Sequence, residues 1–82
     1  MDVGEIETLY DEHADAVYGF LVSVTRSSPD ARDLLHDLYV KVGRGIGSLD
    51  ELGSPRAFLL KSAYRMAIDG IRRREVRARN EG

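Results

Sequence analysis

Between Gly53 and Arg79 the chain reads GSPRAFLLKSAYRMAIDGIRRREVRAR, a stretch with the spacing of a helix and of nothing else. Ser54 is placed to cap the first turn, and Pro55 suits the first helical position, where its missing N–H would be unpaired in any case. At roughly 100° per residue, Leu60, Ala63, Tyr64, Ala67, Ile68 and Ile71 share one side, the predicted core-facing stripe. Lys61, Arg65, Arg72 and Arg79 fall together along its flank, and Ser62, Asp69 and Arg73 continue the polar side. One helix thus carries an edge for a core and, beside it, a ladder of cations.

Two further helices precede it. From Glu5 to Thr25, Ile6, Leu9, Tyr10, His13, Val17, Phe20, Leu21 and Val24 recur at spacings of three and four, with Glu7, Asp11 and Asp15 opposite. His13 lies inside that stripe without a second ligand nearby, so it reads as a structural residue and no metal is expected. After the break at Arg26-Ser27-Ser28-Pro29, Ser28 reads as a cap and Pro29 as the start of a helix running to about Val42. Its core face is Ala31, Leu34, Leu35, Leu38 and Val42. Its other side presents Asp33, His36, Asp37, Val40 and Arg44, which leaves one apolar side chain, Val40, among charges. His36-Asp37 is no catalytic relay, because neighbours on a helix diverge by about 100° and no third group is placed to complete one.

Gly43, Gly45, Gly47 and Gly53 then predict a glycine-rich loop, though not a phosphate cradle, since no GxxxxGK[ST] occurs. Nothing alternates like a strand. The expected fold class is all-α, a compact bundle of three main helices in residues 1–74, with 75–82 a frayed helix end or the start of a linker.

Eighty-two residues make one domain, which buries only about 60–65% of its unfolded surface. There is no cysteine, hence neither disulfide nor thiolate site. No apolar run reaches the roughly 20 residues of a membrane span, and the acidic start MDVGEIETLYDEH is unlike a signal peptide, so a cytoplasmic protein without a membrane partner is expected. The net charge of −2 hides a polarity: residues 1–53 carry −7 and residues 54–82 carry +5. Such a chain can offer a basic face to a polyanion and turn an acidic one away.

DARDLLHDLYVKV, a loop, and then GSPRAFLLKSAYRMAIDGIRRR resemble region two of bacterial sigma factors, in particular the extracytoplasmic-function class. LYDEHADAVYGFL is similar to that family's opening helix, so the likeness covers about residues 6 to 76. The resemblance implies a non-enzymatic module of transcription initiation, without cofactor, whose partners are the RNA polymerase core, promoter DNA and an anti-sigma factor. Asp33, His36, Asp37 and Val40 match the surface for the clamp coiled coil of the largest polymerase subunit. The loop and last helix match the part that captures the non-template strand of the minus-ten element, where a flipped base enters a loop pocket. Lys61, Arg65, Arg72 and Arg73 would then hold phosphates, with Arg56 and Phe58 near the opened strand and Phe58 expected to cover the loop. Three departures stand out. Gly43 occupies a position often held by tryptophan, Arg65 replaces a common asparagine, and no helix-turn-helix of the region-four kind follows Arg74. The competing expectation is a helical interaction module whose partners are all proteins and whose arginines are a solvated face.

Overall fold

The computed structural model describes residues 1–81, apart from the side chains of Leu49 and Glu81. Helix α1 spans Val3–Thr25, α2 spans Ser28–Gly45 and α3 spans Pro55–Glu81, with a 3-10 turn at Leu49–Leu52 in the second connection. Each helix packs on the other two. The core is formed by Leu9, Val17 and Leu21 of α1, Ala31, Leu35, Leu38, Tyr39 and Val42 of α2, and Leu59, Ala63 and Ala67 of α3.

The helix ends follow from local chemistry. The Asp2 carboxylate accepts the Glu5 N–H at 2.8 Å and starts α1 two residues before the expected Glu5. Arg26 ends it in the left-handed region, φ 57°, with its N–H on the Val22 carbonyl. The cap of α2 is Ser27 rather than Ser28, because the Ser27 hydroxyl accepts the Asp30 N–H and puts both Ser28 and Pro29 inside the first turn. Asp30 also receives the Arg74 guanidinium at 2.7 Å, a bond that ties the start of α2 to α3 and holds the Asp30 carboxyl below its usual range.

Helix α2 runs through Gly43 and Gly45 instead of stopping near Val42, so the glycine-rich loop is shorter than its sequence implies. Two helical glycines are unfavourable by about 1 kcal/mol each, and packing offsets this. A Cβ on Gly43 would lie 3.3 Å from Ile6 Cδ1, so the missing side chain lets α1 and α2 close up there. The Met1 amino group donates to the Ile46 carbonyl at 2.5 Å, a cation at the negative end of α2. What remains of the loop is held by local bonds and turns. Gly47 N–H donates to Glu51 Oε2 at 2.8 Å, and Gly53, at φ 67°, makes the turn that other residues resist. Ser54 then caps α3 by accepting the Ala57 N–H.

Helix α3 differs from expectation in two ways. It continues beyond Arg74 to Glu81, although every residue described from Arg72 onward is exposed, and Gly82 of the expected tail lies outside the described residues. It is also rotated. Leu59, absent from the predicted stripe, is fully buried, whereas Tyr64, placed within it, is 52% exposed. Leu60, Ile68 and Ile71 are only half-buried. The buried line is Leu59, Ala63 and Ala67, turned from the predicted one by somewhat less than the roughly 100° between neighbours. Small side chains are what a helix needs where it presses against two others.

Candidate nucleic-acid interface

The rotation of α3 decides where its cations stand. With Leu59, Ala63 and Ala67 inward, Lys61, Arg65 and Arg72 occupy the opposite line of the helix, pointing away from the core and not along its flank. All three are exposed, and none makes an ion pair among the described residues. Such a track of cations at helical spacing, without an ion pair among the described residues, has the arrangement that a polyanion requires.

Two hollows border this track and share Arg65 and Asp69. The first, about 260 Å³, lies between α2 and α3 beside the loop. Leu38, Val42, Ile46, Phe58 and Met66 give it an apolar floor, and Lys41, Ser62, Arg65 and Asp69 a polar rim. The second, about 300 Å³, opens on the outer face among Lys61, Tyr64, Ile68 and Arg72. Phe58 is half-buried and packs against the core cluster, though local spacing leaves it off the stripe.

The other two residues assigned to this surface from the sequence stand apart from it. Arg56 is directed at α1, where its Nε–H donates to His13 Nδ1 at a long 3.5 Å, while Glu12 approaches His13 Nε2 at 3.7 Å. Arg73 lies on the α2 side, in a hollow with Asp37, Lys41 and Asp69. His13 is thus a half-buried link between α1 and the start of α3. Among the described residues no three His, Cys, Asp or Glu side chains gather as a metal site would require.

Helix α2 supplies a second surface. Asp33, His36, Asp37 and Val40 are all exposed, at spacings that keep them on one face. Val40 is 37% exposed, and Asp37 is turned towards α3 and Arg73. Behind this face, Tyr39 anchors the helix. Its hydroxyl donates to the Leu9 carbonyl at 3.3 Å and its ring meets Tyr10 edge-on with centroids 5.0 Å apart. Tyr39 is outside the predicted core face but only 7% exposed. The Leu35, Tyr39, Val42 spacing is the signal that reveals it.

The model of the sigma-70 region 2 family matches residues 9–77, which takes in most of α1, all of α2, the loop and most of α3. The chain belongs to the sigma-70 region 2 family. Among curated relatives, this region 2 chain is 37% identical over 81 residues to the ECF RNA polymerase sigma factor SigK of Mycobacterium sp. (strain KMS), covering 98% of the chain and 42% of the relative. It is 32% identical to the SigK of Mycobacterium ulcerans (strain Agy99), over 88% of the chain and 39% of the relative. With the SigK of Mycobacterium tuberculosis (strain ATCC 25177 / H37Ra) the identity is 31%, over 93% and 44%. The chain therefore spans about two-fifths of the length of these relatives. No solved structure matches it. Among the described residues, no helix of this region 2 chain is long and apolar enough to cross a membrane.

Two residues at the cation track escape a reading by local spacing. Lys41 lies on α2 and meets the track only across the bundle, and Tyr64 has the apolarity of a core residue but the exposure of a surface one.

Proposed function

We propose that this chain is the part of an RNA polymerase sigma factor that docks on the polymerase core through α2 and holds the opened non-template strand of the minus-ten element along α3. The observation that carries the reading is the line of Lys61, Arg65 and Arg72, opposite the core and without an ion pair among the described residues, running beside an apolar hollow large enough to take a base. Phosphates would lie on the cations, while the loop-side hollow between Phe58, Met66 and Ile46 would take a flipped base. Arg56 and Arg73 would meet DNA beyond the track, at the loop end and at the α2 side. An acidic remainder, −7 over residues 1–53, would keep the strand on this face.

On single-stranded minus-ten DNA, Arg65→Ala is expected to weaken binding for all sequences alike. It should also flatten the dependence of log affinity on log salt by about 0.7, the increment for one phosphate contact on a single strand. Titration by fluorescence anisotropy at several salt concentrations measures both. Lost affinity with an unchanged slope would assign Arg65 to base reading instead.

The polymerase half of the reading rests on Val40, apolar and exposed between His36 and Asp37. Its partner is the clamp coiled coil of the largest subunit, and an anti-sigma factor that competes for core would cover the same α2 face. Val40→Asp should reduce retention of the chain by polymerase core by about 1–3 kcal/mol, the loss on truncating a buried interface anchor. Melting should barely change, since the residue faces away from the core cluster. Retention on core with no salt-dependent DNA binding would favour the protein-only module.

A further inference from the structure

The charges of the chain are separated along its length. Residues 1–15 carry six acids and no lysine or arginine, whereas residues 72–80 carry five arginines and one acid, Glu75. Helices α1 and α3 run side by side in the same direction. His13 meets Arg56, Phe20 faces Tyr64 with ring centroids 6.3 Å apart, and Thr25 shares a hollow with Arg74. The acidic start of α1 and the basic end of α3 therefore stand at opposite ends of a molecule 46 Å long. Neither face can satisfy the other within one chain.

Each face also holds an apolar side chain out in solvent. On α1, Val3, Glu7, Asp11 and Asp15 follow one another at spacings of four, all of them exposed, and Val3 is 74% exposed. On α3, Arg72, Val76 and Asn80 repeat that spacing, with Arg73 and Arg77 on the next line, and the five border one open hollow. Val76 is 52% exposed. None of Glu7, Asp11, Asp15, Arg72, Arg73 and Arg77 makes an ion pair among the described residues. A valine beside charges of one sign suits a small interface with a surface of the other sign.

We propose that copies of this chain associate head to tail, the Val76 face of α3 seating on the line from Val3 to Asp15 of α1 in the next copy. Two helix faces meet, with the valines in the seam and arginines set against carboxylates along its edges. A second copy is the occupant because every molecule brings both surfaces, opposite in charge and kept apart by its own fold. The two faces differ, so each added copy leaves one of each kind free and assembly continues past two. Arg72 belongs both to this face and to the cation track, yet the association stands whether or not DNA follows α3.

Sedimentation velocity without DNA supplies the test. In about 0.01 M salt the weight-average mass should rise with protein concentration. In about 1 M salt it should fall to that of the monomer, as the Debye length contracts from about 30 Å to about 3 Å. The paired changes Glu7→Lys with Asp11→Lys, and Arg73→Glu with Arg77→Glu, should each weaken association at least about tenfold, because like charges then meet. All four residues are exposed, so both double variants should keep the circular dichroism of the wild type. Mixed in equal amounts, the two double variants should associate again, since their reversed faces match one another. A wild type that stays monomeric at low salt would overturn the proposal without recourse to any variant. Folded variants that stay apart when mixed would overturn it too, as would association that Arg73→Glu with Arg77→Glu leaves intact. Binding of polyglutamate by a wild type that remains monomeric would give the basic face to an acidic partner instead.

Discussion

Leu59→Ala is expected to destabilise the domain by about 2–5 kcal/mol, whereas Leu60→Ala, one residue on, is expected to lose far less. Leu59 has no exposed surface and lies in the core shared by all three helices, so its truncation leaves a cavity where neighbours can collapse only in part. Leu60 is half-buried, and solvent fills the space that it leaves. The contrast is large for a chain of this size. At about 0.05–0.15 kcal/mol per residue, 82 residues hold a total of only about 4–12 kcal/mol. Since about 1 kcal/mol moves the midpoint of so small a domain by roughly 4–8 °C, Leu59→Ala should melt at least about 8 °C lower, or be unfolded outright. Thermal unfolding followed by far-UV circular dichroism measures both variants. Equal losses, or a greater loss at Leu60, would mean that α3 keeps the rotation read from local spacing and that its cations flank the core.

Tyr39 should make the fold sensitive to alkali. Burial pushes its phenol up to about 12, with the nearby Tyr10 adding to the effect, because an ionised ring would have to sit inside the bundle. The folded value lies above the ordinary one, 10.0, so Tyr39's contribution is complete below that pH and is lost as pH rises from there through the folded value. A rise of this size corresponds to about 2–3 kcal/mol. Tyr39→Phe lacks the titrating group. It should begin somewhat less stable, by about 0.5–1.5 kcal/mol for the missing bond to Leu9, yet decline less steeply than the wild type above about pH 10. Urea unfolding at a series of pH values supplies the two curves, and parallel curves would show that Tyr39 does not titrate against the fold. The bond at stake joins α2 to α1, so the segment of α2 that carries Val40 should loosen over the same range.

Helix number, order and class are legible in the residues because each segment carries its own periodicity and punctuation. Asp2, Ser27 and Ser54 cap within three residues of themselves, and such short-range bonds are written in the local sequence. The end of α2 is less legible. Gly43 and Gly45 argue for a loop by propensity, whereas the contacts that favour helix there, Ile6 against Gly43 and the Met1 amine on Ile46, come from about forty residues away in the chain. The link from Arg56 to His13 and that from Arg74 to Asp30 are equally long-range, and neither has a local signal.

The candidate site divides along the same line. Lys61, Arg65 and Arg72 share a face at any rotation of α3, because their spacing sets their angles relative to one another. Which way that face points is another matter. Leu59-Leu60, Ala63-Tyr64 and Ala67-Ile68 are paired so that either of two neighbouring stripes is apolar enough to be a core. Local sequence therefore determined three helices, the Ser54 cap and a continuous line of cations. Tertiary structure alone decided the rotation of α3, since only the narrow space between α1 and α2 favours the alanine line over the one bearing Tyr64 and Ile68. That choice turned the cations outward and left Tyr64 on the surface, because spacing along a helix sets relative angles while packing against its neighbours sets the absolute one.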